Sequence, residues 1–253
     1  MPEQSWRVAV LDSGIAPLPA CAAERGRRFT DEGDRVLEGE AVEDPIGHGT
    51  VVAGIIASAV RPPQLLIAQV LNERGRSSAA TLAAAIEWAL AQRAQLLHLS
   101  LGLHHDRGVL RTAVERALAS GVLIVAAAPA RGRTAYPAFY PGVIRATGDA
   151  RCTGTEISHL GTSSADFGAC PLLGSGPANV SRGASIGAAH LSRFIVSHVA
   201  AGLAAPAVRE TLIRLASRRG PEHHGWPPAH EREPLASPDR GDSPHTRSCS
   251  LPR

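Results

Sequence analysis

Lysine is missing from this chain: among its 253 residues all 26 basic side chains are arginine, against 23 acids, for a net charge of +3. The arginines are scattered and lie beside acids, as in RTAVERA and VRETLIR, a pattern of solvated helix faces. No basic stripe interleaved with aromatics is present, so no nucleic-acid partner is expected. Aromatics make up only 4% of the residues, which leaves alanine, leucine and valine to fill the core. Cysteine is sparse as well: Cys21, Cys152, Cys170 and Cys249 are far apart, with no CxxC. That spacing excludes a zinc-type ligand set, so neither metal nor cofactor is expected, and it favours free thiols over a disulfide framework. No apolar run approaches the ~20 residues needed to span a bilayer, so no membrane partner is expected. MPEQSW leads directly into an apolar run, with no h-region and no cleavage site, so the expected location is the cytoplasm.

What is present is a regular alternation of elements. Short apolar runs bounded by turn residues predict strands at RVAVLD (7–12), LLIAQVL (65–71), QLLHLSL (95–101), VLIVAAA (122–128) and GVIRATG (142–148). Helical spacing predicts a helix over 79–92 behind a serine cap, Ser77 or Ser78, and another over 108–120 that Gly121 stops. A long apolar helix is expected from Ser185 to about Ala204 and a shorter one over 206–217. Strands alternating with helices argue for a parallel sheet in one α/β domain. From Arg218 onward proline and charge replace aliphatics, so the expected division is a domain at 1–217 and a disordered tail at 218–253.

Three glycine-rich turns carry the chemistry: LDSGI at 11–15, GHGTVVAG at 47–54 and RGASIGAAH at 182–190. They supply Asp12, His48 and Ser185. A serine hydroxyl is a poor nucleophile until an imidazole takes its proton, and the imidazole needs a carboxylate to fix its tautomer. Each residue also has a plainer reading: Asp12 as a strand-end turn residue, His48 as a structural histidine opening a helix, Ser185 as an N-cap. Chain order separates the families that use this chemistry. Chymotrypsin-like chains run His–Asp–Ser and α/β-hydrolases Ser–Asp–His.

The order Asp–His–Ser resembles the subtilisin-like serine protease family. The resemblance extends through LIAQVLNERGRSSAATLAAAIEWALAQRAQLLHLSLG at 66–102, GVLIVAAAPARG, YPAFYPGVIRATG and ADFGACP, in the family's order. It implies a three-layer α/β fold, a mostly parallel central sheet with helices on both faces. It also implies that Ser100, Leu101 and Gly102 form an edge that holds an extended peptide or protein substrate by main-chain pairing. Ala126, Ala127 and Ala128 would form the opposite wall. Secreted relatives carry a pro-segment before the aspartate; with Asp12 so near the start of this sequence, none is expected here.

The chain departs from the family after AAA. Subtilisin-like proteases usually have Gly-Asn there, the asparagine amide donating to the oxyanion; here Pro129 and Ala130 follow. Loss of one such donor costs about 10²–10³ in turnover. Asn179 is a candidate replacement, beside the Ser185 backbone N–H. Val51 and Ala189 replace a second histidine and a proline of the family pattern. The functional expectation is a serine endopeptidase narrowed to the processing of a leader peptide. The alternative is a non-catalytic peptide-binding pseudoprotease.

Overall fold

The computed structural model describes residues 5–17, 23–41, 43–129, 134–172 and 183–221. In chain order the elements are β1 (Arg7–Asp12), β2 (Ala23–Glu32), β3 (Arg35–Glu40), α1 (His48–Ala57), β4 (Gln64–Gln69), α2 (Ala79–Ala91), β5 (Leu96–Leu99) and α3 (Gly108–Ala119). They continue as β6 (Leu123–Ala127), β7 (Ile144–Gly148), β8 (Ile157–His159), β9 (Phe167–Ala169), α4 (Ala184–His198), α5 (Ala205–Leu215) and β10 (Arg218–Arg219). All ten described strands join one sheet in the order β10-β8-β9-β7-β6-β5-β1-β4-β2-β3. Only the β2–β3 and β8–β9 pairs are antiparallel.

Strands covered on both faces read as continuous apolar runs, which is why the central ones were legible. Alternate residues then serve two cores. Val8, Val10, Leu65, Ile67, Leu96 and Val125 pack with α1, α4 and α5. Ala9, Leu11, Leu66, Ala68, Leu97, Leu99 and Ile124 pack with α2 and α3. The result is the expected three-layer α/β architecture with helices on both faces. Predicted central strands lie within two residues of those observed. Ser78 is the cap of α2, its hydroxyl accepting the Thr81 N–H at 3.0 Å. Gly121, at φ +80°, follows α3 as expected.

The position of the site follows from topology. Val10 of β1 pairs with Ile67 of β4 on one side and with His98 of β5 on the other. After β4 the chain crosses back over β1 to β5, and β6 and β7 continue outward from there. In an open α/β sheet ligands sit beyond the carboxyl ends of the strands where the order reverses. Asp12 ends β1 and Ser100 directly follows β5, so that reversal point lies between them.

The structure adds to or departs from the sequence reading at three points. The helix expected to reach Ala204 stops at His198. Val199 is extended and buried, and its carbonyl accepts the Trp6 indole N–H at 3.0 Å, so tertiary burial captures an apolar run that local pattern continues. The β2–β3 hairpin was not anticipated, because among its described side chains Phe29 is the buried one and the rest read as a charged loop. The last described strand lies just beyond 217. Arg218 and Arg219 pair with Ser158 and His159, and Arg151 donates to the Gly220 carbonyl at 2.7 Å. Residues 222–253, most of the expected tail, lie outside the described residues.

Helix α4 approaches the sheet more closely than side chains permit. A Cβ at Gly187 would lie 2.3 Å from the Thr147 carbonyl oxygen and 2.7 Å from the Gly148 nitrogen, both backbone atoms of β7. Gly187→Ala must therefore lift the helix, and overpacking of this kind costs about 1–3 kcal/mol. The expected outcome is a lowered urea midpoint with an unchanged m-value; a wild-type midpoint would mean that α4 is not held at this contact.

Candidate active site

Asp12 is fully buried at the end of β1, and its carboxylate is surrounded by donors. Oδ1 accepts the Ser13 backbone N–H at 2.7 Å and the Ser13 hydroxyl at 3.2 Å. His48 Nδ1 lies 2.8 Å from Oδ1 and 3.0 Å from Oδ2. A carboxylate can only accept, so Nδ1 carries the proton and Nε2 is left as the basic nitrogen. The histidine reaches this position because α1 begins at His48, directly after Gly47 in the left-handed region at φ +78°. Close packing completes the placement: a Cβ at Gly49 would meet the Gly14 carbonyl oxygen at 2.3 Å and Asp12 Cβ at 3.2 Å.

The loop before α1 adds a second carboxylate. Asp44 Oδ1 accepts the Ile46 and Gly47 N–H groups at 3.1 and 2.9 Å, while Oδ2 accepts the Thr50 N–H at 2.8 Å and its hydroxyl at 2.7 Å. Burial would raise the Asp44 pKa, but the bonds from Thr50, Ser13 and Gly47 outweigh it and keep the group ionised. Burial likewise pulls the His48 pKa down. The Asp12 hydrogen bond and charge, joined by the Asp44 charge, outweigh that pull, and the net shift is upward.

Ser185 is the second residue of α4. The N-cap position belongs to Gly183, which makes no side-chain cap bond, so Ser185 does not cap the helix. Its hydroxyl donates to the Ser100 carbonyl at 2.9 Å. No hydrogen bond joins it to His48 in this conformation. Catalytic contacts are commonly loose before substrate binds. Its backbone N–H is one of the first four in the helix, which have no intrahelical acceptor and point toward incoming negative charge.

The proposed substrate-contacting residues gather beside these groups. Ser100 is buried, Leu101 half-buried and Gly102 exposed. Leu103 is already paired, its N–H and carbonyl bonded to Tyr136 at 2.7 and 2.8 Å, which limits any peptide pairing to 100–102. Ala126, Ala127 and Ala128 are buried at the end of β6, which pairs with β5 through Leu99 and Ala126. Ala130 and Asn179 lie outside the described residues. Among the described residues no group of three or more His, Cys, Asp or Glu side chains could hold a metal ion. Cys152 and Cys170 are free and buried, and burial pushes the Cys152 thiol up to about 11.

Sequence reasoning passed over the groups behind the site. Asp44 had a readable signal, an Asx residue two and three places before a turn ending in glycine. His98 had a weaker one, a polar residue inside the apolar run LLHLSL. Ser192, which His98 contacts, had none.

Residues 4–221 match the subtilase family, peptidase S8. The thermostable alkaline protease of Halalkalibacterium halodurans is 38% identical over 149 residues, covering 54% of this chain and 40% of that protein. The intracellular serine protease of Paenibacillus polymyxa is 38% identical over 159 residues, covering 54% of this chain and 48% of that protein. The chain thus spans about half the length of these curated relatives, or less. Among solved structures, sphericase superposes with a TM-score of 0.59 at 21% identity, covering 84% of this chain and 83% of that one.

The Asp44 charge makes a prediction about His48. Its imidazole, followed by NMR, should titrate above the ordinary value of 6.5. Asp44→Asn removes a charge that favours the protonated ring, so the midpoint should move to lower pH. A midpoint that rises or stays fixed in a folded variant would contradict this account.

Proposed function

The chain belongs to the subtilase family, and on that premise we propose that it is a serine endopeptidase using Asp12, His48 and Ser185. Ser185 Oγ attacks the carbonyl carbon of the scissile peptide bond while His48 Nε2 takes its proton. Asp12 holds the Nδ1–H and stabilises the imidazolium that forms. The tetrahedral intermediate collapses as the imidazolium returns the proton to the leaving amine, and the acyl-enzyme remains on Ser185. Water, deprotonated by the same nitrogen, then attacks the acyl carbon. The bond to Ser185 Oγ breaks as the imidazolium returns the proton to that oxygen, releasing the acid. The Ser185 N–H at the start of α4 faces the developing oxyanion. The observation that carries this reading is the buried Asp12 carboxylate gripping His48 Nδ1 at 2.8 and 3.0 Å. Because His48 must be neutral to act as base, turnover should rise with pH through its raised pKa.

A peptide lying extended along Ser100, Leu101 and Gly102, with Ala126, Ala127 and Ala128 opposite, fits the limit that Leu103 sets. The narrower reading is a slow, dedicated cytoplasmic protease that removes a leader peptide from one protein. The small subunit of quinohemoprotein amine dehydrogenase is the suspected substrate. Two observations support the narrowing: Pro129 and Ala130 stand where the family usually has its oxyanion asparagine, and a relative bears the name intracellular serine protease. The non-catalytic peptide-binding alternative is disfavoured, since a drifting pseudoenzyme has no reason to retain all three side chains.

Labelling with a fluorophosphonate tests the reading. The expected result is labelling of wild-type protein that Ser185→Ala abolishes, with His48→Ala almost as damaging because the residues act as a unit. Labelling that survives Ser185→Ala would make another residue the nucleophile. The oxyanion region is tested by Pro129→Gly combined with Ala130→Asn, which restores the family's donor. Turnover on a generic peptide should rise by up to about 10². An unchanged rate in the folded double variant would mean that another donor already serves, and Asn179→Ala should then cost more than about 10-fold.

A further inference from the structure

Helix α4 presents two serines to the same strand. Ser185 and Ser192 are seven residues apart, two helical turns, and so lie on one face. On β5 and just after it, His98 and Ser100 are two residues apart and share a face of the sheet. These four side chains and one carbonyl close a ring. Ser192 Oγ meets His98 Nδ1 at 2.9 Å, His98 Nε2 meets Ser100 Oγ at 2.7 Å, and the Ser100 carbonyl accepts the Ser185 hydroxyl at 2.9 Å. His98 and Ser192 have no exposed surface, and Ser100 is 9% exposed. The flanking strand residues, Val10 on β1 and Val125 on β6, are apolar and fully buried.

Polar groups in such surroundings contribute little net stability. Replacing both partners of a buried hydrogen bond with apolar groups of similar shape is often neutral or stabilising, whereas a satisfied network fixes one arrangement. The ring joins the turn that carries the nucleophile to the strand end proposed to hold the peptide. We propose that His98 is a positioning residue for peptide hydrolysis: by bonding Ser192 and Ser100 together it sets where the Ser185 turn of α4 stands against the strand end after β5. It touches neither substrate nor reacting atoms. Burial keeps its ring neutral, with a pKa near 4, so the bridge persists wherever His48 can act as a base. The inference rests on Ser185 being the nucleophile.

The probe is a fluorophosphonate, whose maximal inactivation rate, kinact, reads the placement of the serine and whose KI reads its own binding. Displacement of a nucleophile by ~1 Å costs up to about 10² in rate. His98→Leu should lower kinact by about 10-fold with KI within about 3-fold. His98→Gln, whose amide can still reach Ser100, should recover most of the loss. Ser192→Ala removes only the helix end of the bridge and should lower kinact by about 3- to 10-fold. The double variant His98→Leu/Ser192→Ala should keep a wild-type or higher Tm while kinact stays low, a combination that a purely structural role does not produce. Wild-type kinact in folded His98→Leu and Ser192→Ala would overturn the proposal. So would a loss of kinact matched by an equal loss of folded protein in near-UV circular dichroism. Labelling that survives Ser185→Ala would overturn the nucleophile assignment and this inference with it; Ser185-dependent labelling with an unmoved kinact overturns this inference alone.

Discussion

Two helices meet two strand ends backbone to backbone, and the site depends on those contacts. At Gly49, in the first turn of α1, any side chain would strike the Gly14 carbonyl oxygen beyond β1. At Gly187, in the first turn of α4, it would strike the Thr147 carbonyl oxygen and the Gly148 nitrogen of β7. In each case the proposed catalytic residue, His48 or Ser185, is next to the glycine or two places before it. A reactive side chain placed this way takes its position from main-chain atoms, which cannot change rotamer. Hydrophobic burial assembles the layers, but it is non-directional and could not by itself place an imidazole within hydrogen-bond reach of a carboxylate.

Asp12 and Asp44 are the two carboxylates of the site, and both are held by backbone and hydroxyl donors as well as by neighbouring side chains. Those bonds allow buried negative charge to persist, and that charge raises the affinity of His48 for a proton. Burial disfavours the protonated form of two further histidines, His98 and His190. The His48 imidazole therefore holds a proton more readily than a free one, while the other two hold theirs less readily. His98 has both ring nitrogens occupied; His190 uses Nε2 on the Leu172 carbonyl at 3.3 Å and has an unpartnered Nδ1 among the described residues.

Legibility followed the range of the interactions involved. The strands β1, β4, β5, β6 and β7 and the helices α2 and α3 announce themselves within windows of about ten residues, because strand burial and helix periodicity are local patterns. Strands β8 and β9, with three residues each, are too short to show a period. The β2–β3 hairpin lies at the sheet edge with charge on its outward positions and has almost no apolar period to read. The end of α4 failed for the opposite reason, since VAAGLAA is apolar enough to continue a helix until the Trp6 indole claims the Val199 carbonyl.

The sequence by itself determined the class of fold, the three glycine-rich turns and the order Asp12, His48, Ser185, because turn chemistry and periodicity are written in neighbouring residues. It also carries Pro129 and Ala130 after the AAA run, where the resemblance to the family implies an asparagine. Only the tertiary structure decided what each of those residues faces. The Ser185 hydroxyl turns to a carbonyl 85 residues away, and His98 joins Ser192 across 94 residues. Such pairs exist because the chain crosses back over β1 after β4 and later lays α4 across β5, β6 and β7. A buried polar pair is specified by the order of the strands and the height of the helix above them, and neither quantity is a property of any short stretch of chain.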